Sequence, residues 1–248
     1  MGKQVDTFLG TAVVSIKEKG ASGGMRFFAN LDSLVQAYEV EKLTVPDNTA
    51  PGGGEWDALE RVTAATATAV LYDLSPENLA IANAGSVVNS STVTPIVDEP
   101  ITVVGLEDFY PTARMIDTSV PPVVENTAGT TTYVAGTDYT VSPGGITLLS
   151  GTTIVAGGIN ISYTPAATKD VQFLGAAGKE YELYIDGYNE ANARPFGGKY
   201  HRVKFSPTTD FSLIGGSDFA QLTLEMTLLA DQSIVAAGRS KYGEVKFA

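Results

Sequence analysis

Hydrophobic and polar positions alternate along much of this chain with a period of two. The clearest case lies within Asp218–Asp231. Leu222, Leu224, Met226 and Leu228 point one way, while Gln221, Thr223, Glu225 and Thr227 point the other. Alternation sustained over eight residues predicts a half-buried strand. Tyr181–Asp186 and Tyr200–Phe205 read as two more strands, flanking the turn-rich Gly187–Pro195. Near the start, Ala12, Val14 and Ile16 share one face of Thr11–Lys17. The loop Lys19–Gly24 then leads into Met25–Phe28, which reads as a hairpin partner.

Leu31–Val45 carries two patterns. Leu31, Leu34, Val35 and Tyr38 fit a helical stripe, whereas Tyr38, Val40 and Lys42–Val45 fit a strand, and the strand is favoured for the second half. Pro46–Glu55 is a long Pro/Gly loop that holds Trp56 at its far end, and a loop of this length inside a compact domain is usually functional or disordered. Arg61–Leu74 reads as a returning Thr/Ala/Val strand. The one clear helix is Ser75–Ala84: Ser75 caps it, Pro76 suits its first turn, Glu77 favours its positive end and Gly85 suits its stop. Leu79, Ala80, Ala82 and Ala84 are expected to face a sheet.

Residues 95–165 differ in composition, with seven acids (Asp98, Glu99, Glu107, Asp108, Asp117, Glu125, Asp138) against one base, Arg114. Thr130–Thr164 is rich in Thr, Gly and Val, and Ile159, Ile161 and Tyr163 alternate with polar residues. The expected organisation is a β core from residues 1–94 and 166–248, interrupted by a β-rich insertion at 95–165. The tail Gly238–Phe247 has three bases and one acid, and reads either as a last strand or as a docking arm for a neighbouring copy.

Composition narrows the function. The formal net charge is −12, which argues against a surface that grips nucleic acid, because phosphate binding needs clustered Lys and Arg. There is no Cys, hence no disulfide framework and no thiolate chemistry. Met1–Leu9 lacks the apolar core of a signal peptide, and no run reaches the length of a membrane helix. The expectation is a soluble protein made in the cytoplasm, without a membrane partner.

Candidate chemistry is sparse. His201 is the only histidine and sits in a predicted strand, where a surface or interface residue is the favoured reading over a base or ligand. Gly20–Gly24 matches Gly-x-Ser-x-Gly, but that nucleophile elbow requires a strand-to-helix turn and a His-based triad. Between two strands it reads as a hairpin loop. Asp98–Glu99 and Glu107–Asp108 are paired carboxylates without the spacing of a calcium loop. No nucleotide-binding motif is present. No catalytic residue, cofactor or metal is expected.

The ordered set of strands resembles the tail tube protein (major tail protein) of long-tailed bacteriophages. The matching pieces are Ser75–Ala80, Gly136–Val141, Gly145–Leu148, Gly158–Tyr163, Gly178–Asn189, Val203–Pro207, Asp210–Ile214 and Leu222–Asp231. The resemblance implies a mainly β fold, a β-sandwich or barrel with one flanking α-helix and a β-rich insertion. It also implies hexameric rings stacked into a hollow tube in the virion tail, assembled in the host cytoplasm. The partners would be other copies of the chain and the tape measure, tail tip and tail terminator proteins, with DNA only passing through the lumen. Acidity suits such a conduit, because like charge repels phosphate, and at physiological salt the repulsion reaches only about 8 Å. Glu182, Asp186 and Glu225 are the candidate lumen-facing acids. The loop residues Thr49, Pro51, Gly52, Gly53, Gly54 and Trp56 are candidates for contact with the next ring. Arg239, Lys241 and Lys246 are candidates for an inter-subunit arm. Two other structural readings are a capsid decoration protein and a surface adhesion module. A β-fold glycan hydrolase would need two carboxylates brought close together.

Overall fold

The computed structural model describes residues 7–49, 51–91, 93–176, 178–214 and 219–248. Asp218, Thr92 and Met1–Asp6, which entered the sequence readings above, lie outside them. Strands dominate, with one short helix, so the fold is mainly β. In chain order the first elements are β1 (Gly10–Glu18), β2 (Arg26–Ala29), β3 (Leu31–Pro46), β4 (Glu55–Leu71), α1 (Pro76–Ala82) and β5 (Ser86–Ser90). Then come β6 (Ile96–Val103), β7 (Phe109–Pro111), β8 (Val123–Asn126), β9 (Thr132–Tyr133), β10 (Tyr139–Ser142), β11 (Gly145–Leu148) and β12 (Gly157–Tyr163). The chain ends with β13 (Thr168–Gln172), β14 (Tyr181–Asn189), β15 (Arg194–Phe205), β16 (Leu222–Leu228) and β17 (Gly243–Phe247). The contacts divide it into two compact units, one of Met1–Val87 with Val171–Ala248 and one of Val88–Asp170.

In the first unit an antiparallel sheet runs β2-β1-β14-β15-β16-β4-β3, and β17 pairs with β15 beside β16. β2 and β3 stand at opposite ends of this order, yet only Asn30 separates them in sequence, and its carbonyl accepts from the Tyr72 N–H at 3.1 Å. The sheet therefore curls until its two ends share one continuous stretch of chain. Curling puts the apolar face inside. Val14, Ile16, Phe28, Ala67, Leu71, Leu183, Val203, Leu222 and Leu224 form the core, together with Ile81 and Ala82 of α1. The alternation read at Leu222–Leu228 is reproduced: Leu222, Leu224, Met226 and Leu228 are buried, Thr223 and Glu225 exposed and Thr227 half-buried. In β1 the pattern holds for Val14 and Ile16, while Ala12 is exposed.

α1 begins as its sequence dictates, with the Ser75 hydroxyl accepting from the Asn78 N–H at 3.4 Å. Its end departs from expectation. Ala84, at φ 45°, takes the left-handed position, and the Gly85 and Ala84 N–H groups close onto the Ala80 and Ile81 carbonyls at 2.7 and 3.2 Å. That is a Schellman ending with alanine in the glycine place. Gly85 is needed for another reason: a Cβ there would lie 2.1 Å from the Gln172 carbonyl oxygen. Asn78, not Leu79, faces inward; it is fully buried and donates to the Phe28 carbonyl at 2.8 Å.

The second unit is a small sandwich of its own. A four-stranded sheet, β6-β12-β8-β9, and a three-stranded sheet, β10-β11-β7, share a core of Ile101, Val124, Tyr139, Ile146, Ile159 and Ile161. The Ile159–Ile161–Tyr163 alternation is the buried face of β12. The unit's bounds, 88 and 170, lie outside the 95–165 read from composition. β5 and β13, which carry the chain across those bounds, pair with each other. No helix among the described residues is long and apolar enough to cross a membrane.

Candidate functional site

The most unusual feature of the first unit is the β3–β4 hairpin. Leu31–Val45 is strand throughout, so the helical stripe over its first half does not form; β3 pairs with β4 from Leu31↔Leu71 out to Pro46↔Glu55. Pairing along the whole length outweighs the weak i, i+3 spacing. Near its base the hairpin belongs to the curled sheet, and Ala65, Ala67 and Ala69 are buried. Beyond that, every residue of Val35–Pro46 and Glu55–Thr63 is exposed. Val40 sits opposite Val62, and three positions further, an odd number and so on the other face, Leu43 sits opposite Leu59. Successive positions on a strand alternate faces, so both surfaces of this ribbon carry apolar side chains. Tyr38 is 60% exposed, Leu59 63% and Trp56 65%.

Trp56 is not on the loop. β4 starts at Glu55 rather than near Arg61, which makes Trp56 its second residue and shrinks the loop to the hairpin tip. Asp47 organises that tip: its carboxylate accepts from the Thr49 N–H at 2.8 Å, and its own N–H donates to the Gly54 carbonyl at 2.8 Å. Gly52, Gly53 and Gly54 all have positive φ, which only glycine adopts without strain in succession. Pro51 precedes them at the exposed apex. Arg61 is paired across the strands with Glu41 at 2.7 Å, and Lys42 with Glu55 at 2.6 Å. Even so, Glu39–Arg61 holds six acids and two bases, a net −4.

The three candidate lumen acids are not equivalent. Asp186 and Glu225 are exposed on outward positions of β14 and β16. Glu182 is half-buried and sits between Lys19 at 3.3 Å and Lys199 at 3.4 Å, so it does not present a free negative charge. Burial alone would raise the Glu182 carboxyl, but the Lys199 and Lys19 charges outweigh it and hold it below the usual glutamate range.

The basic tail is the last strand, not a free arm. β17 pairs with the first half of β15, from Phe196↔Phe247 to Tyr200↔Gly243. Phe247 also meets Phe8 and Phe196 in an aromatic cluster, with ring centroids 6.2 Å from each. Glu244 is shared by Lys246 at 3.0 Å and Arg239 at 3.6 Å, and Lys241 donates to the neutral Gln232 at 3.0 Å. One acid for three bases leaves Val235–Phe247 at a net +2. The segment exposes Val235, Tyr242, Val245 and Phe247 as well.

Lys19 ties this region together, donating to Asp231 at 2.5 Å and to the His201 carbonyl at 3.2 Å. Asp231 accepts from Lys19 and from both Ser233 donors, which together hold its carboxyl far below the usual range. His201 is a strand residue as expected, but a buried one. Burial first, and then the Lys199 charge, lower its affinity for a proton. Ser22 lies in the loop between the paired strands β1 and β2, as the hairpin reading requires. A cleft of about 430 Å³ beside α1 is lined by residues that include Lys17, Arg26, Lys179 and Tyr181; Lys179 pairs with Glu18 at 2.9 Å and Arg26 donates to Asn78 at 2.9 Å. In the second unit, Glu99 accepts from the Tyr163 hydroxyl and the Ala113 N–H, both at 2.7 Å.

The sequence points to the hairpin tip and to the second half of β3, but not to the start of β4 at Glu55–Glu60. The overlooked signal was a run of apolar residues on both sides of a Gly-rich turn.

The chain belongs to the family described as "Protein of unknown function UCP028589", which matches residues 7–246. No curated protein matches it.

Proposed function

We propose that this protein is a structural subunit that assembles with copies of itself into the rings and hollow tube of a phage tail. One observation carries the reading: a two-stranded ribbon of Val35–Pro46 and Glu55–Thr63, exposed on both faces and apolar on both faces. Such a ribbon is only marginally stable in water by itself, and contiguous exposed apolar surface marks an interaction site. A repeated contact between identical chains covers it on every subunit and, if the rotation closes, makes a ring. The acidic balance of the chain and the ordered resemblance to tail tube proteins support the same reading. DNA would pass through without a specific site. Asp186 and Glu225 remain the acids proposed to face it, with Glu182 a poorer candidate because two lysines hold it.

Negative-stain electron microscopy of the purified protein over a concentration series, with light scattering for mass, tests this. Rings or hollow tubes are expected. A protein that stays monomeric in isolation, and also after addition of preformed tail-tip complexes, would overturn the assembly reading.

A further inference from the structure

Resting on that assembly reading, we propose which surface receives the hairpin: the acidic, apolar β3–β4 ribbon of one copy docks on the basic, apolar segment Val235–Phe247 of another. The two surfaces match in chemistry. The ribbon carries −4 and exposes Leu43, Trp56 and Leu59; the segment carries +2 and exposes Tyr242, Val245 and Phe247. Within one chain neither charge is fully used. On the ribbon, Arg61 and Lys42 answer Glu41 and Glu55, and among the described residues Asp57 and Glu60 form no ion pair. On the segment, Lys241 has only a neutral amide partner, and Arg239 and Lys246 share one carboxylate. Complementary potentials of this kind set partner and register, and apolar anchors at the centre supply the affinity. β17 is fixed to β15 by its own ladder, so the receiving surface is formed before the partner arrives.

A charge-swap experiment tests the pairing. Asp57→Lys with Glu60→Lys forms one variant, Arg239→Glu with Lys241→Glu a second, and all four substitutions a third. Thermal melts confirm that each is folded, and sedimentation velocity reads the concentration at which assembly begins. Each reversed variant is expected to shift that concentration upward by about tenfold or more, because like charges then face each other across the contact. The four-fold variant is expected to return close to the original value. Reversed variants that assemble normally, or that weaken without rescue, would overturn the docking while leaving the tube reading standing. An unaltered chain that never assembles would overturn both.

Discussion

Lys19 and Asp231 are 212 residues apart in the sequence and 2.5 Å apart in the fold. The ammonium also reaches Glu182 and the His201 carbonyl, so one side chain joins the end of β1 to β14, β15 and the segment leading to β17. Lys19→Ala leaves the buried Asp231 and the half-buried Glu182 carboxylates without their shared cation. Exposed pairs contribute about 0–1 kcal/mol and breaking a buried one costs about 3–5, so this half-buried site should lose roughly 1–2 kcal/mol. Urea unfolding of the purified protein checks it, and an unchanged midpoint would mean that Lys199 alone suffices.

Acid should act at the same place. The Asp231 carboxyl is depressed by Lys19 and Ser233, so the stability it contributes is full above its unfolded value of 3.8 and is lost as pH falls below that. His201 works in a higher window. Its proton affinity is lowered from 6.5, so the folded state resists protonation; stability is complete above pH 6.5 and declines as pH falls through the histidine's folded value. His201→Gln should flatten the melting-temperature profile just below pH 6.5 and leave the steeper fall below pH 4 in place. A profile unchanged by the substitution would show that His201 does not set it.

Two neighbouring positions after α1 should respond in opposite directions. Gly85→Ala places a methyl 2.1 Å from the Gln172 carbonyl oxygen, and backbone cannot yield as a flexible side chain would. The cost should be about 1–3 kcal/mol. Ala84→Gly relieves a left-handed alanine and should raise stability by up to about 1 kcal/mol. Paired thermal melts compare the two.

Replacing Asp47–Gly54 by Asn-Gly should leave the melting temperature of the first unit within a degree or two, because none of the described tip residues belongs to the core. Deletion of Thr49–Trp56 instead also removes Glu55 and its ion pair with Lys42, and takes away an exposed aromatic. Assembly should weaken more in the second case than in the first. Equal assembly in both would assign no role to Trp56.

The parts legible in the sequence are those where one face is buried. Leu222–Leu228 could be read because water on one side and core on the other impose a period of two. In the hairpin shaft the second half of β3 could be read as strand, but the start of β4 at Glu55–Glu60 could not, because with both faces exposed no period sets it apart from the Gly-rich loop before it. Two further details were hidden because they depend on distant backbone. Gly85 looks like a helix stop until Gln172 is seen beside it. Glu182 and Asp186 look alike until Lys19 and Lys199 are placed next to the first. The tail's basic charge was visible, but its attachment to β15 was not, since a five-residue strand has no period to speak of.

The pairing of β5 with β13 has an evolutionary side. The chain leaves for the second unit along β5 and returns from it along β13, and these two strands pair with each other, so the 83 residues of Val88–Asp170 begin and end on one paired stem. A segment whose ends meet can be gained, lost or exchanged in one genetic event without rerouting the rest of the polypeptide. The stem is therefore a natural graft point, where a foreign domain with closely spaced termini can be displayed on every copy of the chain.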